Sequence, residues 1–215
     1  MTVPEIEIIP VRDYTEAAAA ANGFIAPSGI CALSGGSTYR KILEKWFEMG
    51  ISPNAEFFPA DERLVPEDDP ESNWGNLSRV FFIPSGNSAS ASNFFISALS
   101  YSKKLIERFG NEVSYFDTVF LGIGNDGHTA SLFPDGELGE DHKIPVIETV
   151  SPVPPYRRLS LSAAAIRKSG KRVFTVMGEN KRGILRKFLA LDRSLPCVKV
   201  LSRSKNNYLI TDIEF

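Results

Sequence analysis

Short apolar runs of strand length alternate with helical segments along this chain, and the runs that matter most break at glycine turns. GICALS (29–34) leads into Gly35-Gly36, and FDTVFLGI (116–123) leads into a loop holding Gly122, Gly124 and Gly127. AEFFPA, KRVFTVMG and NYLIT read as further strands, KIPVIETV and RRLSLS as extended segments, and CVKVLS as a short strand near the end of the chain. Between them, RDYTEAAAAAN reads as a helix closed by Asn22-Gly23. STYRKILEKWFEMG carries Tyr39, Ile42, Leu43, Trp46 and Met49 at helical spacing, and Gly50 stops it. NWGNLSRVFF, FFISALSYSKKLIERFG and ENKRGILRKFLAL are the remaining helices. PSGNSASASN (84–93) reads as a surface loop. Strands that alternate with helices predict an α/β fold with a largely parallel sheet. In such sheets ligands sit beyond the carboxyl ends of the strands, so the glycine turns are where function belongs.

With 215 residues and no repeat, long linker or low-complexity tract, the expectation is a single domain over residues 1–215. The chain is 43% hydrophobic and 23% charged, with a net charge of -2, so it has no general attraction for nucleic acid or anionic membrane. An anion site must then be local. Cys31 and Cys197 lie in apolar runs without metal-ligand spacing, which fits two buried thiols in a reduced compartment. The N-terminal stretch lacks a basic start and an apolar core of signal-peptide length, and no apolar run reaches membrane-spanning length. A cytoplasmic protein without membrane partners is expected.

Four stretches carry chemistry. In LSGGSTYRKIL a strand ends at Ser34, Gly35 and Gly36 turn, and Ser37-Thr38 open a helix. A helix start offers unpaired N–H groups and partial positive charge, which suit phosphate; an ordinary capped turn is the alternative. The stretch is neither a Walker A loop nor a dinucleotide fingerprint. In FFPADERLVPEDDPESNWG a strand delivers Asp61-Glu62-Arg63 to a Pro-rich loop. Arg63 either pairs with neighbouring acids or meets an anion, the acids from Glu67 to Glu71 form a solvated surface, and Ser72 is a candidate cap before Asn73. In GIGNDGHTASLFPDG, His128 follows the last loop glycine. An imidazole, ordinarily titrating near pH 6.5, suits proton transfer at neutral pH. Asp126 either orients it or holds the loop backbone. His142 has no such setting and reads as surface. In PPYRRLSLS, strand alternation turns only one of Arg157 and Arg158 toward a given face. In MGENKRGIL, Lys181 sits in the first turn of a helix, where a cation opposes the macrodipole unless an anion is near.

ALSGGST, ADERLVPEDDPESNWG, FLGIGNDGHTASLFPDG, PPYRRLSL and VMGENKRGIL together resemble, in order, the motif blocks of the 6-phosphogluconolactonase family, itself similar to the glucosamine-6-phosphate deaminases. The resemblance runs from about Ala32 to about Leu191, and the DGHTASLFP block is its most specific part. It implies a Rossmann-like α/β domain, with a twisted parallel sheet flanked by helices. The implied activity is hydrolysis of 6-phospho-D-glucono-1,5-lactone to 6-phosphogluconate in the oxidative pentose phosphate pathway, without metal or organic cofactor. By position, His128 matches the catalytic base, with Asp126 beside it. Arg63, Arg158 and Lys181 match cationic substrate positions. Gly35, Gly36, Ser37 and Thr38 match the anion-facing loop, and Asp61 and Asn73 match further site positions. The implied partner is the small sugar-phosphate lactone, bound by a monomer or a weak homodimer. Two departures stand out: the segment before GICALSGG is short for the family, so its first helix is expected to be trimmed, and Asn125 replaces a commoner Pro or acidic residue.

Two rivals remain. A glucosamine-6-phosphate-type isomerase or deaminase shares the glycine-Asp-Gly-His element but continues into an N-E-P segment, whereas this chain reads TASLFP, with Phe133 and no Glu before Pro134. A non-enzymatic sugar-phosphate binder on the same fold is the other, and His128 and Arg63 argue against it.

Overall fold

A computed structural model describes residues 3–110, 116–141, 143–203 and 206–215, so the reading of His142 lies outside the described residues. Its first half runs β1 (Ile6–Pro10), α1 (Tyr14–Asn22), β2 (Gly29–Leu33), α2 (Ser37–Glu48), β3 (Ala55–Pro59), β4 (Asp61–Arg63), α3 (Asn73–Leu77) continuing into a π-helical turn over Ser78–Phe82, α4 (Ser88–Ala91) and α5 (Ala98–Phe109). The second half runs β5 (Thr118–Leu121), β6 (Val146–Val150), β7 (Arg157–Leu161), α6 (Ala163–Lys168), β8 (Lys171–Val176), a 3-10 turn over Glu179–Lys181, α7 (Arg182–Leu189), α8 (Pro196–Lys199) and β9 (Asn207–Thr211).

Six strands form one parallel sheet in the order β1-β9-β8-β5-β2-β3. The inner strands β2, β5 and β8 are buried along nearly their whole length because both faces are covered, whereas the edge strand β1 is largely exposed. Alternation along each strand divides the side chains between two cores. Leu33, Phe57, Phe120, Val173 and Ile210 pack with α1, α2 and the aromatic residues of 74–82. Ala32, Phe58, Val119, Phe174 and Leu209 pack on the other side with α5 through α8. The fold class is therefore the α/β arrangement expected, with the helices on both faces.

The connection leaving β2 runs to β3 at one side, and the connections leaving β5 run to β8 at the other. The reversal opens a crevice between the carboxyl ends of β2 and β5, where Gly35-Gly36 and the DGH loop emerge. A second, three-stranded antiparallel sheet, β4-β7-β6, closes over this end. Ala60 joins the two sheets: its N–H donates to Leu33 O at 3.0 Å, and its carbonyl accepts from Leu161 N at 2.8 Å.

Several elements differ from the sequence expectation. CVKVLS is not a strand; Pro196 opens the short helix α8, whose fixed φ suits a first helical turn. The 84–93 loop contains α4, because the Asn87 side chain accepts from Ser90 N at 3.1 Å. The helix expected from Phe94 begins only at Ala98, where Ser97 caps it. The 61–63 stretch is not the mouth of a loop but a paired strand. β1 and α6 were not foreseen. α1 has 9 residues, capped by Asp13.

Candidate active site

The crevice holds a cavity of about 380 Å³ whose lining comes from both sheets. From the expected set it gathers Gly36, Ser37, Thr38, Asp61, Arg63, Asn73, His128, Arg158 and Lys181. Gly35 and Asp126 do not line it. A Cβ at Gly35 would lie 2.3 Å from the Asn73 Cβ, so that glycine makes room for α3 to approach. Gly36 has nothing within 4 Å of its notional Cβ and is open to the cavity.

Gly36 is the N-cap of α2, with extended backbone and no side-chain cap bond. The first N–H groups of a 12-residue helix are thus free to meet an acceptor. Across the crevice, β4 and β7 are in a register that sets Arg63 opposite Arg158. Alternation puts Asp61 and Arg63 into the cavity and Glu62 behind it. It likewise puts Arg158 inside, while Arg157 is exposed and pairs with Glu148 at 3.1 Å. Arg63 Nη1 donates to Glu71 O at 2.8 Å and to Glu71 Oε2 at 3.3 Å, and Arg158 Nη2 reaches Ser151 Oγ at 3.5 Å. The Nε of each arginine is buried without a partner, as is Ser34 Oγ, which also lines the cavity. Buried donors without acceptors are costly unless a ligand supplies them. Burial, then the charge of Arg63, pushes the Arg158 guanidinium pKa down. Lys181 donates from Nζ to Ile123 O at 2.9 Å, and burial pushes its pKa down against the pull of Asp126. Glu179 pairs with Arg182, not with Lys181. An anion in the cavity would relieve both cations.

The loop after β5 presents His128. Asp126 Oδ1 lies 2.6 Å from His128 Nδ1 and accepts from His128 N at 3.1 Å. Gly124 N donates to His128 O at 2.9 Å, and a Cβ on Gly124 would lie 2.2 Å from the imidazole Nδ1 and Cε1. The ring therefore rests on a glycine by necessity. Phe133, from the same block, packs on the imidazole with centroids 5.0 Å apart. Gly127 turns the loop at φ +85°, and Leu195 abuts it, ahead of α8. Asp61 accepts from Ser131 Oγ at 2.9 Å; burial raises its carboxyl pKa, opposed by that bond and by Arg63, His128 and Arg158.

Sequence reasoning passed over Ser34, Ser131, Ser151 and Glu62. Ser34 directly precedes the two glycines and Glu62 sits inside the DER triplet, so proximity to a motif was the available signal; Ser151, at the end of β6, offered none. Among the described residues no three His, Cys, Asp or Glu side chains gather as metal ligands, and no helix is long and apolar enough to cross a membrane.

Comparison with known proteins decides the family. The sequence profile of the glucosamine-6-phosphate isomerases/6-phosphogluconolactonase family matches residues 13–210. The chain belongs to this family. It is 32% identical over 194 residues to a 6-phosphogluconolactonase of Haemophilus influenzae, covering 81% of this chain and 80% of that one. It is 35% identical over 169 residues to the human GDH/6PGL endoplasmic bifunctional protein, covering 71% of this chain but spanning only 21% of that relative. The crystal structure of 6-phosphogluconolactonase from Leishmania guyanensis is similar throughout, with a TM-score of 0.77, 25% identity and 96% of both chains covered.

Proposed function

We propose that this chain hydrolyses 6-phospho-D-glucono-1,5-lactone to 6-phosphogluconate, a step of the oxidative pentose phosphate pathway. The observation that carries this reading is the pairing, in one cavity, of an Asp126-held imidazole with two register-matched guanidinium groups whose Nε atoms lack partners. The names of the relatives support it. The 6-phosphate lies on the N–H groups of Ser37 and Thr38, with Arg158 and Lys181 as its cations. Asp126 accepts the Nδ1 proton of His128 and leaves Nε2 as the base. Nε2 takes a proton from water while the water oxygen bonds to the lactone C1. The carbonyl electrons move onto oxygen, and Arg63 or loop N–H groups hold that oxyanion. When the oxyanion collapses, the bond from C1 to the ring oxygen breaks and the imidazolium returns its proton to that oxygen. A general base contributes about 10²–10⁴-fold, and for an activated ester positioning supplies the rest.

The deaminase alternative loses its acid here, since Phe133 packs on His128 where that chemistry would place a Glu. In this reading the chain works as one domain over 1–215 in the cytoplasm, as a monomer or a weak homodimer, without metal or organic cofactor. The test is hydrolysis of freshly generated lactone, coupled to 6-phosphogluconate dehydrogenase and corrected for spontaneous opening. Turnover that collapses about 10²–10⁴-fold in a folded His128→Ala variant is expected. Unchanged turnover in that variant would remove His128 as the base, and no turnover in the wild type would remove the lactonase reading.

A further inference from the structure

Glu62 is the middle residue of β4, facing away from the cavity that its neighbours Asp61 and Arg63 line, and it is 1% exposed. Its carboxylate takes three backbone N–H groups and one hydroxyl. Oε1 accepts from Arg63 N at 2.6 Å and Asn73 N at 2.8 Å, and Oε2 accepts from Trp74 N at 2.6 Å and Ser72 Oγ at 3.2 Å. The only guanidinium next to it in sequence, that of Arg63, is turned to Glu71 instead.

A buried carboxylate costs desolvation that an apolar side chain would avoid. Helix capping accounts for only part of it: Glu62 takes Asn73 N and Trp74 N at the start of α3, while Ser72 takes Gly75 N at 3.0 Å, but the bond from Arg63 N lies in β4 and caps nothing. What Glu62 adds is a strap. One oxygen bridges the backbone of Arg63 in β4 to that of Asn73 at the start of α3, across the exposed loop between them. Both bridged residues line the cavity, and Asn73 is pressed there against Gly35.

We propose that Glu62 is a positioning residue that sets Arg63 and Asn73 against the bound sugar phosphate. This rests on the lactonase reading for the identity of the ligand. Glu62 itself touches no substrate; it acts through the two backbones it joins.

The test is calorimetric binding of 6-phosphogluconate to the full chain. Glu62→Gln keeps the shape, but its amide turns a donor toward N–H groups that need an acceptor. Its Kd is expected to rise about 10- to 100-fold, the scale of a small misplacement of binding groups, with KM rising alongside in the coupled assay. Combined with Arg63→Ala, the loss should be less than the product of the two single losses. Leu105→Ala, in the α5 core, is the control: it lowers the melting temperature and leaves Kd unchanged. A Glu62→Gln protein that melts lower but binds with the wild-type Kd would overturn the proposal, since loss of folded protein alone changes the number of sites and not their affinity. If Glu62→Gln does not fold, Glu62→Asp keeps the charge, shortens the reach by one methylene and carries the same expectations. A wild type that binds 6-phosphogluconate without hydrolysing the lactone refutes the lactonase reading and leaves this one standing; a wild type that does neither refutes both.

Discussion

Asp61 shows how one residue can trade stability for a site. Its carboxyl sits above the ordinary range because burial outweighs the Ser131 hydroxyl and the nearby cations. The folded chain therefore holds that proton more tightly than the unfolded chain does. Stability from this group is full at low pH, is lost as pH rises from the ordinary carboxyl value near 3.9 to the raised one, and stays lost above it. Asp61→Asn keeps an acceptor for Ser131 without the charge. At neutral pH the variant should melt higher than the wild type and should hydrolyse the lactone more slowly. Below about pH 4 the difference should vanish, because both side chains are then neutral. A variant that melts lower at neutral pH would mean that Asp61 is held ionised by Arg63 and Arg158. The sequence showed that only one of Arg157 and Arg158 could face inward, since alternation is a local rule, and the resemblance favoured Arg158. It did not show that Glu62 is buried and strapped to Asn73, because that contact depends on where the 64–72 loop returns.

At the scale of elements, the DGH loop works because glycines occupy positions that other residues would fill. Gly124 lies under the imidazole, and a Cβ there would overlap Nδ1 and Cε1. Gly124→Ala should leave the sheet intact and push the ring off its bond to Asp126. The expected result is a drop in kcat of about 100-fold with a melting temperature close to wild type, read by the coupled assay and thermal unfolding. Near-normal kcat would mean that the imidazole does not need its seat on the loop. The glycines and His128 were legible because turn chemistry is local. The neighbouring α8 was not: a short, mostly apolar run such as CVKVLS fits a buried strand or a buried helical turn equally well, and only Pro196 before it marked the difference. α6 was missed for a similar reason, since its alanines have helix propensity but almost no amphipathic pattern.

For the whole molecule, the parallel sheet could be read from strands that alternate with helices, and the crevice followed from the rule on carboxyl ends. The second sheet was not legible. β4 has three residues, and it pairs Asp61 with Ser160, a partner distant in the chain. Yet that sheet supplies Arg63 and Arg158, so the cavity exists only where the two sheets meet at Ala60. A ligand that bridges the sheets must then stabilise the molecule as a unit. At 100 times its Kd, 6-phosphogluconate should add about 2.7 kcal/mol, which corresponds to roughly 5–11 °C in melting temperature for a chain of this size. Lys181→Met removes a cation that approaches from the first sheet, and Arg158→Met removes one from the second. At the same ligand concentration each variant should show a much smaller shift than the wild type. If only one variant loses the shift, the ligand is held by one sheet and the bridge is not its binding mode. If neither does, it binds outside this crevice, and the cations gathered there serve another anion.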